Sequence, residues 1–409
     1  MTKIFTIAVV ATLLLFFSAC DNGGTQNEIA TTEPTTIQPA TEPCELSLPL
    51  QPTEPPATVE ISFADYWLAQ LTVEEKIGQL IMPRLPWQTT EITPSLENWL
   101  AAVPFGGFIL FTDNVQTIPQ TQALIQGLQN QARLPLLMSV DEEGGRVARV
   151  GRIFDGGPSP AAFDIGLGGV SAHEVGILNA SRLRTLGFNM NFAPVADIWS
   201  NPANAVIGTR AFGHTAEVVS PMVAATVQGL QNGGVFATLK HFPGHGDTYE
   251  DSHYQLAFHY HDIYRFWEKE ALPFIAGIEA GVAAVMTGHI STPNVSGHQA
   301  LLPWMQPWID SGNLPATFSS FWLTDVLRGQ MGFDGLIITD GLEMRALTDH
   351  FTCGQIALGA FLAGADILLI PATPVEAFEA MLAGYHEGLF TRERLNESVR
   401  RVLQAKEGL

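Results

Sequence analysis

The chain has 409 residues, of which 46% are apolar, so it is long enough to bury a large hydrophobic core. Asp and Glu total 41 against 20 Lys and Arg, which gives a formal net charge of −21. This balance excludes the basic composition typical of nucleic-acid-binding domains, and it identifies no other partner.

The first twenty residues have the pattern of an export signal. Lys3 precedes the apolar run 4–17, which is too short to span a bilayer comfortably. Residues 17–20, Phe-Ser-Ala-Cys, resemble the lipobox of bacterial lipoproteins, in which the cysteine is lipidated and becomes the mature N-terminus. Phe17 replaces the leucine usual at that position, so an ordinary secretory signal stays an alternative. Both interpretations imply an extracytoplasmic protein, and the first predicts a bacterial membrane anchor at Cys20.

Residues 21–59 are rich in Thr, Pro, Glu, Gln and Ala and contain no Lys or Arg. Such a composition cannot bury enough apolar surface to offset the entropy lost on ordering, so it predicts a disordered tether. Cys44 lies in this tether. It could pair with Cys353, but two free thiols are the simpler interpretation.

Residues 60–409 are predicted to form one globular domain. Thr72 and Glu75 make a capping box ahead of a helix that starts near Val73. Further along, eight apolar runs predict strands at 78–83, 106–111, 134–141, 188–197, 234–242, 282–290, 335–340 and 365–371. Helices are predicted at 120–132, 172–186, 216–231, 265–279, 321–331 and 355–363.

Eight Val-, Ile- and Leu-rich strands separated by helices predict an α/β fold with a parallel sheet, and eight is the strand count of a (β/α)₈ barrel. A doubly wound open sheet is the alternative. It is disfavoured because no Gly-x-Gly-x-x-Gly turn follows the first strand, and because polar residues end several strands rather than meeting at one switch point.

Charged and polar residues follow many of the predicted strands. In a barrel these ends form one face, which holds the active site. A salt-bridged rim would explain one or two such residues but not the whole set. The set comprises Asp141, Glu142, Glu143, Arg146, Arg149, Asp197, Arg210, Lys240, His241, His289 and Asp340.

The segment 240–253, KHFPGHGDTYEDSH, is the most distinctive part of the chain. Its Pro and Gly residues forbid a regular helix and indicate a mobile loop over the barrel mouth. One explanation for its composition is a metal site at His241, His245 and Asp247. The other is acid–base catalysis by Asp251 and His253, whose side chains lie on the same side of an extended segment.

Asp340 directly ends the strand Leu-Ile-Ile-Thr, which fixes its backbone. A carboxylate held this way can attack an anomeric carbon when a proton donor lies across the bond. By spacing alone, Glu343 is a rival nucleophile.

The motifs DEEGGRVAR (141–149), GFNMNFAPVADI (187–198), NPANAVIGTRAFG (201–213), KHFPGHGDTYEDSH (240–253) and GFDGLIITDGLEM (332–344) resemble glycoside hydrolase family 3. The resemblance covers about residues 62–405, and the segment 240–253 is similar to the β-N-acetylglucosaminidase branch. It implies a (β/α)₈ barrel and a retaining mechanism.

Further residue roles are implied by the same resemblance. Asp340 matches the nucleophile of the family, so Glu343 is no longer a candidate for that role. His253 matches the general acid/base, with Asp251 as its partner. Positions that hold the hydroxyls and acetamido group of the terminal sugar match Asp141, Arg149, Arg210, Lys240 and His241. Many glucosidases of the family carry a second α/β domain that supplies a carboxylate acid/base, and because the sequence up to Leu409 leaves no room for one, the loop histidine is the expected acid/base here.

The expected activity is hydrolysis of terminal β-N-acetylglucosamine from cell-wall-derived saccharides by a monomer that needs no cofactor. Phosphorolysis by the same residues is an alternative within the class. A metal-dependent barrel hydrolase and a non-catalytic wall-binding lipoprotein are alternatives from other classes.

Overall fold

The computed structural model describes residues 61–409. The predicted signal peptide 1–20 with Cys20, the tether 21–59 and Cys44 lie outside the described residues. A pairing of Cys44 with Cys353 is therefore untested. The thiol of Cys353 donates a hydrogen bond to the carbonyl of Thr373 at 3.5 Å.

The centre of the domain is built from parallel strands, whose bounds are β1 (Ile81–Met82), β2 (Gly107–Ile109), β3 (Leu137–Val140), β4 (Met190–Asn191), β5 (Phe236–Phe242), β6 (Ala284–Thr287), β7 (Leu336–Thr339) and β8 (Leu368–Leu369). Strands β2 to β7 form one sheet in chain order, and β1 pairs with β8. Single bridges between Arg84 and Ile109 and between Ile338 and Ile367 connect these two sheets. The result is a (β/α)₈-like α/β fold, as predicted.

Helices surround the strands, and their bounds are Phe63–Gln70, Val73–Gln79, Pro94–Ala102, Ile118–Gln131, Ala162–Gly166, Ala172–Leu186, Ala216–Asn232, Ile263–Arg265, Ala271–Glu279, Gln306–Asp310, Arg345–Thr348, Cys353–Ala363, Pro374–His386 and Arg392–Lys406. Two π-helical segments, Phe266–Glu270 and Phe321–Gln330, add to them. No helix within 61–409 is long and apolar enough to cross a membrane.

All six predicted helices are present within two residues of their predicted bounds, and the capping box of Thr72 and Glu75 is confirmed. The strands are shorter than predicted. The run 78–83 begins inside a helix that ends at Gln79, so only Ile81–Met82 is a strand. The run 188–197 shortens to Met190–Asn191, and Pro194 beyond it has no N–H to donate to a neighbouring strand.

The strands place their following residues on one face of the domain. All four residues of β3 and all four of β7 are buried, and burying each Leu or Ile side chain contributes roughly 1.5–3 kcal/mol. Strand β7 pairs in parallel with β6 from Leu336↔Ala284 to Thr339↔Thr287. The carboxyl ends of parallel strands meet at one edge, so Asp141 after β3 and Asp340 after β7 lie at the same rim.

Two buried lysines illustrate how partners decide the charge of a buried amine. Lys240 is 2% exposed and contacts two carboxylates, so its pKa is raised although burial alone would lower it. Lys406 is 1% exposed and donates to Gln79 Oε1 at 2.6 Å. Within 61–409 no carboxylate lies at salt-bridge distance from it, and burial lowers the pKa of Lys406 to about 7.

Replacing Lys406 with methionine is expected to stabilise the domain near pH 6 by about 1 kcal/mol, or roughly 2–4 °C in Tm. The pKa of Lys406 is about 7 when folded and 10.5 when unfolded, so the penalty of its buried charge is complete below pH 7 and fades as the pH rises toward 10.5. Thermal melts of both proteins at pH 6 and pH 9 measure this. An equal Tm difference at the two pH values would contradict the buried-charge explanation.

Candidate active site

A cavity of about 270 Å³ opens at the carboxyl ends of the strands. Seven of the eight predicted catalytic and sugar-binding residues line it: Asp141, Arg149, Arg210, Lys240, His241, His253 and Asp340. The eighth, Asp251, is hydrogen-bonded to His253. A cavity of about 330 Å³ lies between the helices Val73–Gln79, Pro94–Ala102 and Ile118–Gln131, and it contains none of the eight.

Asp340 is held rigidly at the start of the turn after β7. Its backbone N–H donates to the Thr287 carbonyl at 2.9 Å, and the Gly341 N–H donates to its Oδ1 at 2.8 Å. Burial alone would raise the pKa of Asp340, but charge interactions with His241 and His289 and the Gly341 hydrogen bond outweigh it and lower the pKa to about 2. At neutral pH the group is therefore a carboxylate, which is the form a nucleophile requires.

His289, which was predicted to end a strand, supports this turn from behind. It is fully buried, its Nε2 lies 2.9 Å from the Gly341 carbonyl, and its Nδ1 lies 2.7 Å from Thr317 Oγ1. Burial lowers the pKa of His289, so the neutral imidazole is favoured. His289 thus fixes the peptide that follows the carboxylate.

Asp251 and His253 form a dyad on the loop after β5. His253 Nδ1 lies 2.7 Å from Asp251 Oδ1, and the same oxygen accepts the His253 backbone N–H at 2.9 Å. Among the described residues, His253 Nε2 has no hydrogen-bond partner, and the side chain is 59% exposed at the cavity. The carboxylate thus selects the tautomer and leaves Nε2 available for proton transfer.

The floor of the cavity is a network of charges centred on Glu143. Its carboxylate contacts Lys240 Nζ at 2.6 Å and Arg210 Nε and Nη2 at 2.8 Å each, while Lys240 also contacts Asp141 at 2.6 Å. Burial would raise the pKa of Glu143, but the Arg210 and Lys240 charges hold it well below its ordinary range. Buried charges in such a network fix the direction of the Lys240 and Arg210 donors.

Arg149 contributes a guanidinium that is incompletely satisfied within 61–409. Its Nε is buried without a hydrogen-bond partner, and its Cζ lies 5.8 Å from the centre of the Phe111 ring. Both residues line the cavity. An unpaired buried donor costs free energy, so this group is suited to hold an oxygen of a bound molecule.

The loop after β5 is fastened to the barrel by Asp197, which is 1% exposed. Asp197 accepts from the backbone N–H of His245 at 2.6 Å and lies 2.7 Å from His241 Nδ1. Gly246 is required because a Cβ there would meet the Ile198 carbonyl oxygen at 1.8 Å. No helix forms between 243 and 256, as predicted; the predicted mobility of the outer part stays a prediction.

The alternative metal site at His241, His245 and Asp247 does not fit the geometry. His245 is bonded through Nδ1 to Thr248 at 2.7 Å and through Nε2 to Ser252 at 3.1 Å. Asp247 binds Ser200 and His261 instead, and no metal-holding group of these residue types occurs in 61–409. The spacing was misleading because the loop turns these donors in different directions.

The sequence places Glu143 among the charged residues that follow a predicted strand, but it indicated no role for Glu143 or for Ser252 in the site. Glu143 lies two residues after Asp141, and in an extended segment both side chains lie on the same side, which could have indicated its role. Ser252 had no comparable signal, because its contact with His245 depends on how the loop folds back.

Replacing Glu143 with glutamine is expected to lower kcat/KM by more than about 100-fold and to destabilise the domain by roughly 3–5 kcal/mol, because it leaves buried cations without their shared carboxylate. Steady-state kinetics and thermal melts measure both effects. Glu142→Gln is the matched control, since Glu142 accepts only backbone N–H groups, those of Arg149, Val150 and Gly151. Equal losses of kcat/KM and of stability in the two variants would contradict the conclusion that Glu143 is the centre of the charge network.

The chain is similar in sequence and structure to known proteins. The chain is 38% identical to the solved structure of a glycoside hydrolase family 3 β-N-acetylglucosaminidase from Paenibacillus sp. str. FPU-7, with a TM-score of 0.74 over 82% of this chain and 62% of that one. It is 35% identical to β-hexosaminidase A of Pseudoalteromonas piscicida over 78% of this chain, which is 56% of that protein's length.

A β-hexosaminidase of Xanthomonas oryzae pv. oryzae is 34% identical over 71% of this chain and 84% of its own length. The chain therefore spans a little over half of the Pseudoalteromonas relative and most of the Xanthomonas one. Residues 72–405 match the glycosyl hydrolase family 3 N terminal domain. The chain thus belongs to glycosyl hydrolase family 3.

Proposed function

We propose that this chain is a retaining exo-β-N-acetylglucosaminidase that hydrolyses terminal, non-reducing β-N-acetylhexosamine through a covalent intermediate on Asp340. The observation that carries the proposal is that Asp340 and the His253–Asp251 dyad meet at one cavity of about 270 Å³. A nucleophilic carboxylate and a proton donor on the two sides of a glycosidic bond are what a retaining mechanism requires.

In the first step the imidazolium of His253 gives its Nε2 proton to the glycosidic oxygen as the bond from C1 to that oxygen breaks. An oxygen of Asp340 forms a bond to C1, and the shortened saccharide leaves as an alcohol. In the second step water attacks C1, gives a proton to His253 Nε2, and the bond from C1 to Asp340 breaks. The two inversions at C1 retain its configuration.

The remaining residues of the cavity hold the terminal sugar in this scheme. Lys240, Arg210 and Arg149 supply N–H donors, the Asp141 carboxylate can accept from hydroxyl groups, and the His241 imidazole can accept from them or donate to them. The names of the β-hexosaminidase and β-N-acetylglucosaminidase relatives support an N-acetylated sugar. We assign the whole of 60–409 to one catalytic domain that acts as a monomer and needs no cofactor.

The natural substrate is proposed to be a cell-wall-derived saccharide or muropeptide, since the sequence of residues 1–20 indicates export and a lipid anchor at Cys20. Metabolic labelling with a fatty acid tests the anchor. Wild-type protein should be labelled and Cys20→Ala should not, and equal labelling of the two would contradict the anchor.

The activity is tested by identifying the products released from a defined N-acetylglucosaminyl muropeptide, in buffer with and without phosphate. The expected product in both buffers is free N-acetylglucosamine, formed first as the β-anomer. If a sugar 1-phosphate forms in the phosphate buffer, the assigned activity is phosphorolysis rather than hydrolysis. The rate is expected to stay unchanged after treatment with a chelator, because the proposed catalytic groups are side chains rather than a metal ion.

A further inference from the structure

The mouth of the cavity carries an exposed indole for which the proposed mechanism has no use. Trp87 follows β1 and is 70% exposed. Leaving a side chain of this size in water forgoes the stabilisation that its burial would give, and an indole offers a large flat face and one N–H donor. Such a group at the edge of a cavity is suited to contact a ligand.

The segment that presents Trp87 is fixed by hydrogen bonds rather than loosely attached. The Gln88 N–H donates to Asp113 Oδ2 at 2.7 Å, and Asn114 Nδ2 donates to the Thr89 carbonyl at 3.0 Å. Gln88 adopts a φ of 57°, which turns the chain directly after the indole. The loop after β1 is therefore hydrogen-bonded to the loop after β2, and Trp87 lies on the exposed side of the loop after β1.

Arg84 connects Trp87 to the cavity. Its guanidinium carbon lies 5.6 Å from the centre of the Trp87 ring and 4.6 Å from that of the Phe111 ring. Its Nη1 lies 3.6 Å from Glu343 Oε1. Phe111 and Glu343 both line the cavity, so the indole is separated from the cavity wall by a single side chain.

Trp87 also lies along the same arc of the mouth as the proton donor. The backbone N–H of Arg345 donates to the His253 carbonyl at 3.3 Å, and Glu343 is two residues earlier in the same turn. The arc therefore runs from His253 through residues 343–345 and Arg84 to Trp87. In the proposed mechanism, the group attached to the oxygen that His253 protonates lies beside His253, where this arc begins.

We infer that Trp87 is a binding site for the sugar on the leaving-group side of the scissile bond, a pyranose such as an N-acetylated hexosamine. This inference rests on the proposed function. A cavity of about 270 Å³ with two charged walls holds about one sugar ring, so the next ring lies at the mouth. The C–H groups on one face of a pyranose pack on an aromatic face, and the indole N–H can donate to a hydroxyl.

The test compares two substrates with alcohol leaving groups: N,N′-diacetylchitobiose, whose leaving group is a sugar, and methyl β-N-acetylglucosaminide, whose leaving group has no ring. Trp87→Ala should raise KM for the disaccharide by about ten-fold, equal to ~1.4 kcal/mol, with kcat changed less than about two-fold. For the methyl glycoside both constants should stay within about two-fold of wild type. Trp87→Phe should restore most of the loss.

Tyr66→Ala is the matched control, because Tyr66 is 52% exposed on the helix Phe63–Gln70, which packs against Arg392–Lys406. This replacement should change kcat and KM for neither substrate. An unchanged KM for the disaccharide in Trp87→Ala, or equal changes for both substrates, would overturn the inference while leaving the proposed function intact. Failure of the wild-type protein to cleave either substrate would instead overturn the proposed function, and the inference with it.

Discussion

Asp340→Asn is expected to lower kcat on an aryl β-N-acetylglucosaminide by at least about 10⁴-fold while the domain stays folded. The amide has the same shape, and its oxygen can still accept the Gly341 N–H that Asp340 Oδ1 now accepts at 2.8 Å. It cannot form the ester with C1, because a neutral amide is a poor nucleophile. Steady-state kinetics, with a thermal melt to verify folding, measure this.

The control is Glu343→Gln, which removes the rival carboxylate. Glu343 also lines the cavity, but its side chain is 40% exposed and its charge is paired with Arg84. Its replacement should cost less than about ten-fold in kcat, since an exposed ion pair contributes little. A Glu343 variant that is inactive beside an active Asp340 variant would reverse the assignment.

The pH dependence of the wild-type enzyme at Asp340 follows from the depressed pKa of this carboxyl group. The pKa of about 2 lies below the ordinary value of 3.8, so the carboxylate stays ionised down to about pH 2. Its stabilising contribution is complete above pH 3.8 and is lost as the pH falls through about 2. An acid limb of the rate profile at higher pH therefore belongs to another group.

His253→Ala is expected to lower kcat/KM on N,N′-diacetylchitobiose by about 10²–10⁴-fold, the usual contribution of a general acid. A sugar alkoxide is a poor leaving group and needs the proton that His253 Nε2 supplies. With a nitrophenyl leaving group the loss in kcat/KM should be much smaller. The second step then lacks its base, so a burst of nitrophenol should precede a slow steady state.

Asp251→Asn separates the role of the carboxylate from that of the imidazole. The amide can still accept from Nδ1, but it stabilises the imidazolium less, so an intermediate loss of about 10–100-fold is expected. Tyr254→Phe is the control, since Tyr254 adjoins His253 and is 66% exposed. Equal losses for sugar and nitrophenyl leaving groups in His253→Ala would contradict its role as the acid.

The sequence was sufficient to predict the strand order and much of the site because both depend on local patterns. Apolar runs such as Leu336–Thr339 fill buried strands, and a charged residue directly after such a run lies at the shared rim. The helix Arg392–Lys406 was missed although Leu395, Val399, Val402 and Leu403 form an apolar stripe at helical spacing. The spacing of these four residues is sufficient to predict that helix.

Other features depend on distant contacts that no local pattern carries. Glu143 became the centre of the charge network because Lys240 and Arg210, about 100 and 67 residues away, converge on it. His245 was a reasonable metal ligand by spacing, yet its two nitrogens bond Thr248 and Ser252 once the loop folds back. Residue spacing cannot predict these directions, because Gly244 and Gly246 allow conformations outside the regular elements.

The central claim, a covalent glycosyl-enzyme on Asp340, is tested most directly by trapping it. A 5-fluoro N-acetylglucosaminyl fluoride slows both steps, because the ring fluorine destabilises their oxocarbenium-like transition states, while the fluoride leaving group favours the first. Digestion and mass analysis should then find one sugar on the peptide that contains Asp340, attached as an ester at that residue. A sugar attached to Glu343, or turnover that releases the inverted anomer without any adduct, would contradict the account.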